Sequence, residues 1–425
     1  MKASPDPFRD PLYGTIRPDS TCYGIIDTRE FQRLRRVRQL SLAYLQYPSA
    51  VHTRFEHSLG VQHLAVRIVD TLANKGELSR YGHGEIRAYR KLVAAAACCH
   101  DLGQSLTGHL LEEFGADAAD HEADGAALIV DGEVGRVLDA NLGPGAKEEV
   151  TRIMTHTSTH PLADIVASDL DADKMDYLRR DAYHCGTPIS FDQEFLIDCM
   201  CLVEDQDRTR LGIEARGLPA FEGLLLAKAK MYRAVYFHPI VRCAMAMLRS
   251  LILEVTRAGW IDSRRILELS DDELFAFIRI DEAKGVDPAV VSYARDMTDR
   301  ILHRRLYHRS LQIPLSERVP LSANQILAVQ EVLEEYFGVP HGDVILDIPS
   351  KPHMLGTNVP VRLPNGELIQ AYEADTDMGF AIPRSMQDHY DATGSIALLT
   401  KEPQSLNART LLGLMEEVAA EVPAS

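Results

Sequence analysis

The chain has 425 residues, 46% of them hydrophobic and 25% charged, with a formal net charge of −17. That size accommodates two or three domains with a large core. The acidity argues against strong nucleic-acid binding or an anionic membrane surface, and no apolar run reaches the roughly 18–20 residues a spanning helix needs. The first residues, MKASPDPFRDPLYG, lack the apolar stretch of a secretory leader, and seven irregularly spaced cysteines do not form a disulfide framework, so a reducing cytoplasm is the expected compartment.

Taken along the chain, a proline-rich loop comes first. Asp27 or Thr28 can then cap a helix that carries Phe31, Leu34 and Val37 on one face. Arg29, Arg33, Arg35, Arg36 and Arg38 make this the most basic stretch of an acidic protein, either a solvated face or an anion site. Val61, Leu64, Ala65, Ile68, Val69 and Leu72 form one helical stripe, which Asn74-Lys75-Gly76 stops. KLVAAAACCHDLG is apolar all round until His100, the pattern of a buried helix. Helical patterns follow over 120–140, 147–157 and 164–182, and again in HPIVRCAMAMLRSLILEV, where Pro239 stands near the first helical position. Ser270 with Glu273 and Ser322 with Gln325 fit capping boxes, and Gly338 is placed to end the second helix. After residue 340 the pattern changes. DVILDI and SIALLT read as strands, VPVRLPNGELIQAY as a hairpin across Pro364-Asn365-Gly366, and 405–421 as a last helix. The expected fold is mainly α with a smaller α+β C-terminal region. Its expected divisions are an N-terminal segment (1–50), a helical core (51–255), a helical extension (256–339) and the α+β region (340–425).

Polar residues stranded in these apolar patterns carry the chemistry. His100 and Asp101 end a helix too apolar to lie at the surface, and a buried carboxylate is costly unless it is paired or binds a metal. His57 lies in the first turn of another helix. Asp173 lies in DADKMDYLRRD, with Tyr177 and Asp181 following at i+4 steps on one face. Two imidazoles and two carboxylates suit a borderline divalent metal with positions left for water and phosphate.

The order H…HD…D, with IIDTREFQRLRRVRQL, HTRFEHSLGV, DADKMDYLRRDAYH and YRAVYFHP, resembles the HD-superfamily deoxynucleoside triphosphate triphosphohydrolases. The similarity is to the branch that holds the animal enzyme with SAM and HD domains and its bacterial relatives, and it spans residues 8–255. The resemblance implies an HD-domain helical bundle. It implies a divalent metal (Mn, Fe, Mg, Co, Ni or Zn) on His57, His100, Asp101 and Asp173, and hydrolysis of dNTPs to deoxynucleoside and inorganic triphosphate. Arg54, Lys174 and Lys228 match phosphate contacts. His109 matches a general acid, and His121 with Glu122 a second catalytic pair. Gln39, Leu40, Tyr177, Asp181 and Tyr236 match the sugar and nucleoside wall. Asp27, Gln32 and Arg35 match residues that read an activating guanine nucleotide, GTP or dGTP, and a homo-oligomer, dimer or tetramer, accompanies that site. One position departs: Gln104 stands where relatives carry His, and glutamine can neither hold charge nor shuttle a proton. The alternatives are an HD-type nucleotide phosphatase or phosphodiesterase, and a nucleotide sensor without turnover.

Overall fold

The computed structural model describes residues 6–106, 121–205, 208–349, 358–374 and 394–423. It opens on a small hairpin, β1 (Phe8–Asp10) and β2 (Gly14–Ile16), where the sequence reads as loop. Gly14 takes φ +72°, a conformation glycine adopts without steric cost. Asp19 caps α1 (Ser20–Ile26), and Thr28 caps α2 (Arg29–Arg33). Asp27 closes α1 rather than opening α2. The helix expected here is also shorter. A 3-10 turn covers Leu34–Arg36 and Val37 is extended, yet Phe31, Leu34 and Val37 are all fully buried.

The helical body follows: α3 (Arg54–Asn74), α4 (His83–Cys99), α5 (His121–Asp131), α6 (Glu133–Leu142), α7 (Ala146–Met154), α8 (Ala172–Cys185) and α9 (Gln193–Cys199). The single pattern over 120–140 is two helices broken at Gly132, where a Cβ would meet the Leu128 carbonyl oxygen at 2.2 Å. The expected helix over 164–182 begins only at Ala172, where Asp171 caps it. A hairpin not legible in the sequence, β3 (Met200–Asp205) with β4 (Arg208–Glu214), leads to α10 (Leu218–Met231). A π-helical turn over Tyr232–Tyr236 joins α10 to α11 (Pro239–Arg257). Then come α12 (Ser263–Glu268), α13 (Asp271–Ile280) and α14 (Pro288–Leu302). The chain ends with β5 (His308–Pro314), α15 (Ala323–Phe337), β6 (Val344–Asp347), β7 (Pro360–Arg362), β8 (Leu368–Gln370), β9 (Ser395–Thr400) and α16 (Ala408–Glu421). Both capping boxes are present, and Gly338 ends α15 at φ +65°. The fold is mainly α with small sheets, as expected.

The C-terminal strands have two destinations. The β7–β8 hairpin joins β3 and β4, with β7 parallel to β4, and Val359, Val361 and Ala371 enter the same core as α3, α4 and α8. The other strands form a β5-β9-β6 sheet. Its alternate residues serve two cores. Ile345, Ala397 and Leu399 pack with residues of α11 and α14, whereas Val344, Leu346, Ile396 and Leu398 pack with α15 and α16. Burial on both faces explains why VILDI and SIALLT are continuous apolar runs rather than alternating ones.

Candidate metal centre

Three helices deliver the polar residues to one point. Residues Val93–Cys99 of α4 are fully buried, so the helix must end before its backbone can turn away, and His100 caps that end. His100 Nδ1 donates back to the Ala97 carbonyl at 2.8 Å, which leaves Nε2 with a lone pair. His57, in the first turn of α3, has its Nδ1 2.7 Å from Asp176 Oδ2, which likewise leaves Nε2 as acceptor. The two Nε2 atoms lie 3.2 Å apart. Asp173, in the first turn of α8, places Oδ1 2.9 Å from His57 Nε2 and 3.6 Å from His100 Nε2. These three donors form a cluster that could hold a metal ion. Asp101 borders it, with carboxylate oxygens 3.7 Å from each imidazole. Two acceptor nitrogens face to face repel unless a proton or cation lies between them. The mixed nitrogen and oxygen set therefore fits a borderline divalent ion.

The electrostatics point the same way. Burial works against the protonated form of His57, but bonds to Asp173 and Asp176 overcome it and push the imidazole up to about 10. Burial likewise opposes ionisation of Asp173, and bonds from His100 and His57 hold it well below the usual carboxylate range. Against burial, the Arg54 guanidinium and the two imidazoles keep Asp101 low. The acidic cluster attracts positive charge, and a metal ion would compete with that proton.

Cations surround the cluster. Buried Arg54 donates from Nη1 to Asp101 at 2.7 Å, while its Nε has no partner among the described residues. Lys174 Nζ donates to the Ser168 carbonyl at 2.7 Å and to Asp171 at 2.8 Å. Burial, with neighbouring Lys174 adding to it, lowers the Lys228 ammonium to about 8. Gln104 is buried, and its Oε1 has no partner among the described residues. On the other side, Asp181 accepts from Tyr236 Oη at 2.6 Å and pairs with His52 Nε2 at 2.8 Å. Tyr177 and Leu40 are half-buried against the main core. Gln39 Oε1 is buried without a partner among the described residues. His109 lies outside the described residues. His121 and Glu122 open α5, but their side chains lie outside the description too.

The N-terminal candidates are arranged differently. Asp27 is exposed. Gln32 Nε2 donates to the Ile26 carbonyl at 2.7 Å, and Gln32 Oε1 accepts from Arg35 Nε at 2.9 Å. The Arg35 guanidinium sits 3.5 Å above the Phe55 ring.

The sequence reading missed residues as buried as the ligands: Asp176, Arg180, Asp10 and His52. A signal existed for the first two. Asp173, Asp176 and Arg180 follow i, i+3, i+7 spacing on α8, as regular as the Asp173, Tyr177, Asp181 series. Nothing in the sequence pairs Asp10 with Arg180 across 170 positions.

A mainly helical core whose two imidazoles and one aspartate converge from three helices defines the class of protein. Residues 54–181 match the HD domain, and residues 191–374 match the HD associated region. The chain is 32% identical over 361 residues to the uncharacterized protein MJ1154 of Methanocaldococcus jannaschii, covering 83% of this chain and 71% of that one. It is 36% identical over 249 residues to the uncharacterized protein YwfO of Bacillus subtilis, spanning 58% of this chain and 54% of that one. The deoxynucleoside triphosphate triphosphohydrolase SAMHD1 homolog of Dictyostelium discoideum is 25% identical over 361 residues, 80% of this chain and 66% of that one. A crystal structure of a hypothetical protein from Aquifex aeolicus superposes with a TM-score of 0.69 at 27% identity, covering 97% of this chain and 99% of that one. The chain belongs to the HD-domain family and is similar to its SAMHD1-like dNTP triphosphohydrolases. Among the described residues, no helix is long and apolar enough to cross a membrane.

Proposed function

We propose that the protein hydrolyses deoxynucleoside triphosphates to deoxynucleoside and inorganic triphosphate at this centre, with His57, His100, Asp101 and Asp173 holding a divalent metal. The observation that carries the reading is the convergence of the two Nε2 atoms and Asp173 beside Arg54 and Lys174. Similarity to proteins named as dNTP triphosphohydrolases supports the substrate class. When bound, the metal would polarise a phosphoryl oxygen and lower the pKa of a coordinated water. Arg54, Lys174 and Lys228 would offset the charge of the triphosphate, and Gln104 would donate a neutral hydrogen bond. Asp181 retains capacity for a sugar hydroxyl, because a carboxylate offers about four lone-pair sites and only two are filled among the described residues. Tyr177, Tyr236, Gln39 and Leu40 would form the nucleoside wall. His109, assisted by His121 and Glu122, would protonate the leaving 5′-oxygen.

Asp27, Gln32 and Arg35 would form the site for an activating GTP or dGTP in a cytoplasmic homo-oligomer, dimer or tetramer. The Gln32–Arg35 bond uses only Nε of Arg35, so its two Nη groups would be the ones to meet a nucleotide. Gln104 favours a second reading, an HD-type phosphatase or phosphodiesterase with another substrate. Chromatography of products from each dNTP, alone and in pairs, with Mn, Mg, Co and Fe supplied, tests the choice. Deoxynucleoside plus triphosphate is expected. Orthophosphate or monophosphate would move the assignment to the second reading, and nucleotide binding without product would make the protein a sensor.

A further inference from the structure

Behind His57 runs a buried chain of charges that ends on the N-terminal hairpin. Asp176 Oδ2, 2.7 Å from His57 Nδ1, also accepts from Arg180 Nε at 2.8 Å, and Asp176 Oδ1 accepts from Arg180 Nη2 at 3.0 Å. Arg180 then donates from Nη1 to Asp10 Oδ2 at 2.9 Å. Asp10 Oδ1 accepts from the backbone N–H groups of Leu12 and Tyr13, at 2.8 and 3.0 Å, in the turn between β1 and β2. Asp176 and Arg180 are fully buried, and Asp10 is 8% exposed. From the same turn, the Tyr13 ring lies 5.9 Å from the Arg180 guanidinium.

We propose that Asp176, Arg180 and Asp10 are positioning residues of the metal centre, so that the N-terminal hairpin completes the outer shell of the ligand His57. The proposal rests on the reading of His57 as a metal ligand. Stability is a poor reason for such a chain, because desolvating two carboxylates and a guanidinium costs about as much as their attraction returns. Apolar side chains of similar volume would fill the space equally well. What apolar side chains cannot do is fix the His57 tautomer and ring plane. Asp176, locked by the two-pronged Arg180, does both, and its charge raises the basicity of the ligand nitrogen.

Gly60 supplies the independent observation. It lies on α3 one turn after His57, and a Cβ there would fall 2.0 Å from Asp176 Oδ1 and 2.5 Å from Arg180 Nη2. A helix interior disfavours glycine by roughly 1 kcal/mol relative to alanine. The clearance it provides here is clearance for this chain of charges.

The test is a Co²⁺ titration of metal-free protein, followed by visible absorption and by metal analysis, on variants shown to be folded by circular dichroism. Wild type should load one equivalent and Asp173→Asn should load poorly. If wild type takes up no metal, the metal reading itself fails. Given a loading wild type, Asp176→Asn should weaken Co²⁺ binding about 10–100-fold and alter the absorption band. Gly60→Ala should do the same by displacing the carboxylate. Asp10→Asn acts at the outer end, where folding is least at risk, and should give a smaller loss with the same spectral change. Arg180→Lys keeps the charge but not the fork, and should fail to restore wild-type affinity. Folded Asp10→Asn and Gly60→Ala proteins with wild-type affinity and spectrum, merely less stable, would reduce the chain to a staple and overturn the proposal.

Discussion

The metal centre and the arginine segment at 29–38 are both dense in charge, yet they are organised in opposite ways. At the metal centre, side chains from α3, α4 and α8 converge and share partners. In the arginine segment the guanidinium groups diverge, and only Arg36 and Arg38 share a destination, the first turn of α13. Arg33 turns inward and donates to the carbonyls of Leu102 and Gln104, at 2.9 and 2.7 Å. Arg38 reaches Asp271 and Asp272 on α13, Arg36 reaches Glu273, Arg29 reaches Glu133, and Arg35 lies on Phe55. Arg29, Arg35 and Arg36 are exposed, so this part of the segment is a solvated face, whereas Arg33 is buried and Arg38 half-buried. Arg33 and Arg38 are the staples, tying the N-terminus to the loop after Asp101 and to α13, while the exposed pairs of Arg29 and Arg36 add little. Converging charges need a ligand to complete them, whereas diverging charges complete one another.

The most severe way to break the convergent cluster is Asp173→Asn, which keeps volume and removes a negative ligand. Loss of an outer-shell partner typically costs 10–100-fold in metal affinity. Loss of a ligand itself should exceed about 100-fold, with hydrolysis falling in parallel and the circular dichroism spectrum unchanged. Metal analysis and turnover at wild-type levels would remove Asp173 from the site.

The inward staple comes next. Arg33 is buried, and burial lowers its guanidinium to about 10. Arg33→Met keeps the apolar stem and strands two buried carbonyls. Hydrogen bonds to charged groups are worth about 1.5–3 kcal/mol each, so about 3 kcal/mol or more of stability should go. Urea unfolding measures it. An anion site would behave in the opposite sense, with the variant gaining stability and losing any protection by phosphate.

Asp271 tests the outward staple through pH. Burial pushes its carboxyl up to about 6, although the Arg38 backbone N–H and guanidinium oppose this. The folded value lies above the roughly 3.9 of an unfolded aspartate. Below about pH 4 both states are protonated and Asp271 costs nothing. As pH rises from 4 through 6 the unfolded chain releases its proton first, so the fold loses up to about 3 kcal/mol, and the loss is complete above pH 6. Asp271→Asn removes this slope. Any fixed cost of the amide is the same at every pH, so the stability difference between variant and wild type should shift in favour of the variant between pH 4 and 7. A difference that stays constant across that range would mean the Asp271 carboxyl is not raised by the fold.

How much of this was readable beforehand follows the same division. His57, His100, Asp101 and Asp173 stood out because apolar helices have no other use for them. The capping boxes at Ser270 and Ser322 were legible because a cap is local. The β3–β4 hairpin was not: MCLVEDQDRTRLGIE lacks a two-residue turn signal, and its partner β7 lies about 150 residues on. The destinations of the arginines were equally hidden, since charge names no partner. The β7–β8 hairpin was read correctly from Asn365-Gly366, but not its place beside β4, which depends on long-range packing.

The mildest change bears on the one place where the two regions could meet. Arg35 is exposed, bonded to Gln32, and stacked on Phe55, the residue next to Arg54 in α3. An exposed cation–π contact is worth about 0.5–1 kcal/mol, so Arg35→Ala should cost no more than that in urea unfolding and leave metal content unchanged. If a guanine nucleotide binds with Asp27 and Gln32, however, the same variant should lose stimulation of dNTP hydrolysis by added GTP or dGTP, and the assembly that accompanies it. Stability and regulation thus separate at this residue. A solvated arginine gives a small stability loss with stimulation intact, whereas a nucleotide contact gives a loss of stimulation far larger than the stability change explains. Equal stimulation of variant and wild type would place Arg35 with the other solvated arginines, and any activator would then have to be read elsewhere on the chain.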